Sequence, residues 1–235
     1  MLERLGQLDS VRVVLHLDEL QELAGFTNAA RLTKAMRAAL SKAPSVTTIF
    51  SGSQEHMLRD LLTPRQRAFY GWGTWIRPGA ISTEDWAAGL ASRFEKGGFS
   101  ATASAIDRLL QQSEGHARST MLVAQQTAIV AALEQERAIE DWMVSLGVER
   151  AMAADYGLHT ETLVELRQMG RHVPATALRI AAGAAPYGGK PANPSSTQRA
   201  VEALERSGLI ERRGRRGTGG WVVVDPLIRR FLAGV

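Results

Sequence analysis

The 235-residue sequence contains no cysteine. Disulfide bonds, thiolate zinc sites and cysteine nucleophiles are therefore excluded, and the composition fits a reducing compartment. No apolar run reaches the roughly 18–20 residues that cross a bilayer, so we expect no membrane partner. The first residues do not form a basic stretch followed by an apolar one, which argues against a secretory signal. With 45% hydrophobic and 22% charged residues, the chain is expected to be a globular protein of the cytoplasm.

Lysine is scarce as well, because 24 of the 28 basic residues are arginine. The formal net charge is +4, and its location is more informative than its size. Six arginines and three glutamates lie between Ser196 and Arg216, a net of +3. Most of the excess positive charge therefore belongs to one segment near the end of the chain.

The first third of the sequence alternates between strand and helix patterns. A nearly continuous apolar run over residues 11–17 is typical of a strand covered on both faces, and a second apolar strand is predicted at 46–50. Helical patterns follow each run, at 29–40 and 55–62, and a weaker strand is predicted at 73–76. This order predicts a parallel α/β sheet, in which ligands bind beyond the carboxyl ends of the strands.

Polar residues follow both predicted strands at those ends. Asp18 and Glu19 come directly after the first strand, and Ser51 and Ser53 follow the second. In phosphoryl-transfer sites an aspartate in this place holds Mg²⁺, and a following glutamate can orient and deprotonate the attacking water. The alternative is a strand end where the chain meets solvent and polar residues are simply allowed.

The order of motifs resembles that of the AAA+/STAND ATPases of archaeal type, a family of P-loop proteins. Residues 13–19 look like a Walker B segment, and residues 49–53 are similar to a sensor-1 strand. Residues 67–70 resemble the stretch before the last core strand, and 115–118 resemble the start of a lid helix. The tail from residue 195 to 227 looks like a terminal winged helix.

The resemblance implies ATP and Mg²⁺ as cofactors and gives several residues a role. Asp18 becomes the Mg²⁺ ligand, through water, and Glu19 the base that activates water. Ser53, with Ser51 as the alternative, becomes sensor 1. Arg118 becomes a nucleotide-binding arginine that reaches the γ-phosphate; the alternative is a solvated arginine in the first turn of a helix.

The P-loop that this family requires is missing from the sequence. No G-x-x-x-x-G-K-[ST] motif occurs, and the nearest match, residues 184–191, has a proline in place of Ser/Thr and is typical of a loop. Only about ten residues precede the first predicted strand. We therefore expect the C-terminal part of an ATPase, a gene with a misplaced start or a decayed copy, unable to hydrolyse ATP alone. A winged-helix DNA-binding regulator that keeps a vestigial ATPase remnant is the alternative function, and an adaptor that pairs with a partner carrying the P-loop is a further one.

Three domains are predicted: a partial AAA+ α/β core over residues 1–81, a three-helix lid over 82–134, and a linker helix with a winged-helix domain over 135–235. Apolar residues at helical spacing indicate the lid helices, and the helical pattern continues through 134–157. The fold class is thus α/β followed by mostly α. The five histidines lie apart in the sequence, so no structural zinc site is predicted.

The winged helix would place residues 196–207 as its recognition helix. Arginines in and beside the wing are suited to phosphate contacts with duplex DNA, and the predicted set is Arg199, Arg212, Arg213, Arg215 and Arg216. Glu202, Glu205 and Glu211 interrupt this positive surface. A domain that folds back on the protein as a regulatory module is the alternative.

Overall fold

A computed structural model describes residues 12–53, 55–187, 194–213 and 220–234. The chain divides into two compact units, residues 1–77 and 78–235. The predicted division into three domains remains a prediction. In the first unit the described elements are β1 (Val13–Leu17), a 3-10 helix (Leu20–Gly25), α1 (Ala29–Ser41), β2 (Val46–Phe50) and α2 (Glu55–Leu62).

Strands β1 and β2 form a two-stranded parallel sheet, with Val13 opposite Val46 and Leu17 opposite Phe50. The prediction that the first strand is covered on both faces is wrong. Side chains alternate along β1 between half-buried and exposed, and Val14 is 60% exposed. Ile49 on β2 is 49% exposed, so one face of the sheet is open. Parallel sheets are normally covered on both faces, and no described element of this unit covers this one.

The strand predicted at 73–76 is also wrong, since residues 73–82 have no regular structure. An extended segment becomes a strand only when a neighbour accepts and donates its backbone hydrogen bonds, and the described sheet consists of β1 and β2 alone. The segment just before it is anchored by Phe69, which is buried and contacts the rings of Phe50 and Trp72. The following Ile76 is 84% exposed.

The second unit begins with a helical bundle, defined here as residues 83–154. Its elements are α3 (Thr83–Lys96), β3 (Ser100–Ala101), α4 (Ala103–Ser113), α5 (Ala117–Leu133), β4 (Ala138–Ile139) and α6 (Asp141–Ala154). Side chains cap three of these helices, because Ser82, Thr102 and His116 each accept the backbone N–H three residues ahead. The bundle core contains Leu90, Leu109, Val123 and Val144, all essentially buried.

The helical pattern predicted through 134–157 is interrupted. Helix α5 ends at Leu133, and β4 pairs with β3 in parallel before α6 begins at Asp141. Gln135 has a φ of 60°, a left-handed conformation that ends the helix. A two-residue parallel ladder is too short to leave a pattern in the sequence.

The C-terminal subdomain is defined here as residues 156–234. Its described elements are α7 (Tyr156–Met169), α8 (Val173–Ala181), α9 (Pro194–Arg206), β5 (Ile210–Arg213), β6 (Gly220–Val223) and α10 (Pro226–Ala233). Strands β5 and β6 form an antiparallel hairpin. A second core joins these elements through Leu166, Ile180, Leu204, Val223 and Leu232. None of the helices in the described parts of the chain is both long and apolar enough to span a bilayer.

Candidate functional site

The predicted site residues Asp18, Glu19 and Ser53, together with the alternative Ser51, lie at the carboxyl ends of β1 and β2. The backbone N–H of Ser51 donates to the carbonyl of Leu17 over 3.0 Å, and the N–H of Leu20 donates to the carbonyl of Ser51 over 3.0 Å. The first bond joins the end of β1 to the residue after β2, and the second joins the start of the 3-10 helix to that same residue. Asp18 and Glu19 therefore lie beside Ser51 and Ser53, and we call this group the carboxylate edge.

Asp18 is held by a hydroxyl and a backbone amide. Ser51 Oγ donates to Asp18 Oδ1, and the N–H of Glu19 reaches the same oxygen over 3.0 Å. These two hydrogen bonds, the first being the stronger cause, hold the pKa of Asp18 below its usual value, with a smaller contribution from nearby His16. Asp18 is therefore an exposed, ionised carboxylate at neutral pH.

His16 is a member of the carboxylate edge that the sequence did not reveal. Its Nε2 lies 2.7 Å from Ser51 Oγ. Because the Ser51 hydroxyl donates its proton to Asp18, it accepts a hydrogen bond from the imidazole. Histidine, serine and aspartate are thus adjacent here, but the aspartate contacts the serine and not the imidazole. This order of contacts differs from a Ser-His-Asp triad, in which the carboxylate holds the imidazole.

Glu19 is paired with the second serine. Its backbone is left-handed, with φ of 50°, and its Oε2 accepts from Ser53 Oγ over 2.9 Å and from Ser53 N–H over 3.3 Å. Gln21 Nε2 donates to the same oxygen. The bond from Gln21, then those from Ser53, hold the pKa of Glu19 below its usual value against the effect of the Asp18 charge. Ser53, the residue predicted to be sensor 1, contacts Glu19, whereas the alternative Ser51 contacts Asp18.

Gln21 is the other residue that sequence reasoning missed. Its side chain is 1% exposed, and its Oε1 has no hydrogen-bond partner within the described part of the chain. The amide fills the space in front of Gly52, where an added Cβ would overlap with Oε1. A lone glutamine inside a 3-10 helix gives no signal in the sequence.

The carboxylate edge fits one part of a nucleotide site and not the other. A carboxylate with a hydroxyl neighbour suits Mg²⁺, which prefers oxygen ligands and keeps several of its waters. Phosphates need fixed positive charge or a row of backbone amides. The side chains described at this edge are carboxylates, hydroxyls, an amide and an imidazole, and none carries a fixed positive charge.

Arg118 lies in the second unit, in the first turn of α5, where its side chain is 44% exposed and is paired with two carboxylates. Its Nη2 lies 2.6 Å from Asp155 Oδ2, and its Nη1 lies 3.5 Å from Asp225 Oδ2. The two carboxylate side chains are only 13% and 10% exposed. One guanidinium between two carboxylates leaves a net charge of −1, which disfavours the binding of an anion at this place.

The arginines predicted to contact DNA have different surroundings. Arg199, Arg212 and Arg213 are all exposed, and Arg213 pairs with Glu211 over 2.7 Å and with Glu114 over 3.1 Å. Glu114 also pairs with Arg229, and these arginines, Arg229 foremost, lower the pKa of Glu114. Arg215 and Arg216 lie outside the described residues.

No protein-family model matches the sequence, and no curated protein matches it. Solved structures of AAA+ P-loop ATPases do match: a Walker-type ATPase of Pyrococcus abyssi superposes with a TM-score of 0.70 at 18% identity, over 98% of this chain and 65% of that protein. The ORC2 protein of Aeropyrum pernix gives a TM-score of 0.59 at 14% identity, over 99% of this chain and 68% of that one.

A third structure, the RuvB Holliday-junction branch-migration motor of Thermotoga maritima, gives a TM-score of 0.54 at 14% identity, over 92% of this chain and 69% of that protein. At these identities the comparisons show the fold, which is that of the AAA+ ATPases. The chain spans about two thirds of the length of each of these proteins.

Proposed function

We propose that this chain is the C-terminal part of an AAA+-type ATP-binding switch, and that the carboxylate edge is one wall of its nucleotide site. The observation that carries the proposal is the pairing of Asp18 with Ser51 and of Glu19 with Ser53 at the carboxyl ends of neighbouring parallel strands. Ligand sites of parallel α/β sheets lie at such ends. The likeness to AAA+ structures supports the same assignment.

Each residue of the edge has a specific task in this proposal. Asp18 would hold Mg²⁺ through a water molecule, and the ion, when bound, would neutralise phosphate charge. Glu19 would orient and deprotonate the attacking water. Its lowered pKa makes it a weak base as it stands, so the hydrogen bonds from Gln21 and Ser53 must loosen before it accepts a proton.

A strand, P-loop and helix supplied by another segment or by a partner protein would complete the site. The open sheet face with Val14 and Ile49, and the irregular segment 73–82, provide apolar surface for such an addition. Because the sequence contains no P-loop motif, we expect the chain alone neither to anchor the phosphates of ATP nor to hydrolyse it.

Titration with a fluorescent ATP analogue and Mg²⁺ tests the proposal. The chain is compared with a version extended by the codons that precede Met1, and with the chain co-purified with any partner that carries a P-loop. We expect binding by a completed protein and none by the chain alone. If neither completed form binds the analogue, the nucleotide-site proposal is wrong.

DNA binding by the C-terminal subdomain is a second candidate function. The order of three helices and a hairpin favours a winged helix, and the exposed Arg199 and Arg212 could contact phosphates. The ion pairs of Arg213 with Glu114 and Glu211 instead favour the fold-back alternative, because they neutralise one wing arginine within the protein.

Salt dependence of duplex binding separates these alternatives. Each phosphate contact contributes about 0.9 to the slope of log K against log salt concentration. If the wing binds DNA, the double variant Arg199→Ala/Arg212→Ala has a slope smaller by about two contacts, while the control Arg150→Ala, on an exposed position of α6, keeps the full slope. Equal slopes for both variants would exclude these two arginines from any DNA contact.

A further inference from the structure

Helix α10 belongs to two hydrophobic cores at once. Leu227, in its first turn, is fully buried in the core of the helical bundle. Leu232, in its last turn, is buried in the core of the C-terminal subdomain, and Phe231 packs against that core. The position of α10 therefore sets how the subdomain is attached to the bundle.

The carboxylate of Asp225 caps the first turn of α10 and also contacts the bundle. Asp225 Oδ1 accepts from the N–H of Leu227 over 2.8 Å and from Ser119 Oγ over 2.7 Å. Its Oδ2 lies 3.5 Å from Arg118 Nη1 and 3.9 Å from His116 Nδ1. All these bundle residues lie at the start of α5, so Asp225 joins α10 to one helix end.

The last turn of α10 covers a buried histidine. His159 on α7 is fully buried, and neither ring nitrogen has a hydrogen-bond partner within the described residues. Its ring stacks on Phe231 with 4.9 Å between centroids and 22° between planes. The charged groups that act on the ring are Asp155 on the preceding turn, Asp225 before α10 and Arg118 on α5.

The neutral ring suits this setting and the protonated ring does not. Burial lowers the pKa of His159, and this effect outweighs the opposing attraction of Asp155 and Asp225. An imidazolium has two N–H donors, and neither ring nitrogen has a hydrogen-bond partner among the described residues. Arg118, which holds both nearby carboxylates, repels the added charge.

We propose that His159 is a proton-controlled switch for α10. Neutral His159 holds Phe231 and keeps α10 docked, and protonation of the ring releases α10 so that the imidazolium reaches water or the Asp155 carboxylate. The switch does not depend on nucleotide binding and acts on the attachment of the C-terminal subdomain to the bundle.

The direction of the pH effect follows from proton linkage. The docked state has a His159 pKa below the ordinary value of about 6.5, and the released state has a value near it. Release therefore takes up one proton as the pH falls between these two values. The opening equilibrium rises by up to about tenfold for each pH unit in that window and is independent of pH above it.

Hydrogen exchange of the full chain tests the proposal, measured from about pH 7.5 to about pH 5 and corrected for intrinsic exchange. We expect the opening constant of the α10 amides to rise towards tenfold per pH unit, while α3 amides remain protected. His159→Phe keeps a ring on Phe231 without a titrating group, and we expect no such rise. The control His172→Phe, at an exposed histidine in the same subdomain, should behave like the wild type.

Two outcomes would overturn the proposal. One is an equal rise in the wild type and in His159→Phe, and the other is parallel opening of α3, which indicates global unfolding. If His159→Phe does not fold, the imidazole is titrated directly by NMR in the wild-type chain. A His159 pKa at or above about 6.5 would then contradict a neutral, docked ring.

Discussion

Arg118 and Asp225 form an ion pair that joins the helical bundle to the C-terminal subdomain, with 3.5 Å between Nη1 and Oδ2 across 107 residues of sequence. Asp225 also caps α10 and accepts from the buried Ser119. The ion pair therefore helps to attach the C-terminal subdomain to the helical bundle.

Removal of the Asp225 carboxylate should destabilise the protein strongly. Asp225→Ala takes away a helix cap, the acceptor of a buried hydroxyl and a partner of Arg118, and we expect a loss of about 3 kcal/mol in the free energy of unfolding. Urea denaturation followed by circular dichroism measures it. The control Glu149→Ala, at an exposed position on α6, should change stability by less than about 0.5 kcal/mol. Equal effects of the two variants would show that the Asp225 contacts do not stabilise the fold.

Two glycines inside helices should respond oppositely to alanine. Gly147 on α6 is buried, and an added Cβ would lie 2.9 Å from the backbone nitrogen of Thr127 and 3.0 Å from its Cα. We expect Gly147→Ala to cost about 2 kcal/mol, because the backbone of α5 must move. Gly89 on α3 is exposed with nothing within 4 Å of an added Cβ, so Gly89→Ala should stabilise by about 0.5–1 kcal/mol. Thermal unfolding of both variants measures this, and destabilisation by both would contradict the close packing at Gly147 as the cause.

Each of the two serines of the carboxylate edge should lower the pKa of a different carboxylate. Loss of the Ser51 hydroxyl should raise the pKa of Asp18 and leave that of Glu19 nearly unchanged. Loss of the Ser53 hydroxyl should raise the pKa of Glu19 and spare Asp18. NMR titration of the side-chain carboxyl carbons in Ser51→Ala and Ser53→Ala distinguishes the two effects. A common shift in both variants would mean that the pairing described here is wrong.

Much of the fold could be predicted from local sequence patterns, and the predictions that were wrong have a common cause. Helices such as α3, with a serine cap and apolar residues every three or four positions, leave a clear periodic signal. The apolar run at β1 also predicted a strand, but the same run implied cover on both faces. Whether Val14 is covered depends on another element, and the strand pattern carries no information about it.

The site could be predicted only where motif order fixed it. Asp18, Glu19 and the serines follow strands whose parallel pairing brings their ends together. Gln21 and His16 joined them through side-chain contacts that have no sequence signature. The surroundings of Arg118 depend on Asp155 and Asp225, and the contact with Asp225 joins residues 107 positions apart in the sequence. Local sequence patterns carry no information about contacts between residues so far apart in the chain.

The Mg²⁺ dependence of ATP-analogue binding by a completed form of the protein tests the central claim most directly. We predict that the wild type binds the analogue more tightly with Mg²⁺, and that Asp18→Asn loses this gain, at least about tenfold in affinity. The control Asp60→Asn, at an exposed carboxylate in the same unit, should retain it. If Asp18→Asn binds the analogue with the same Mg²⁺ dependence as the wild type and Asp60→Asn, the carboxylate edge is not the metal side of a nucleotide site.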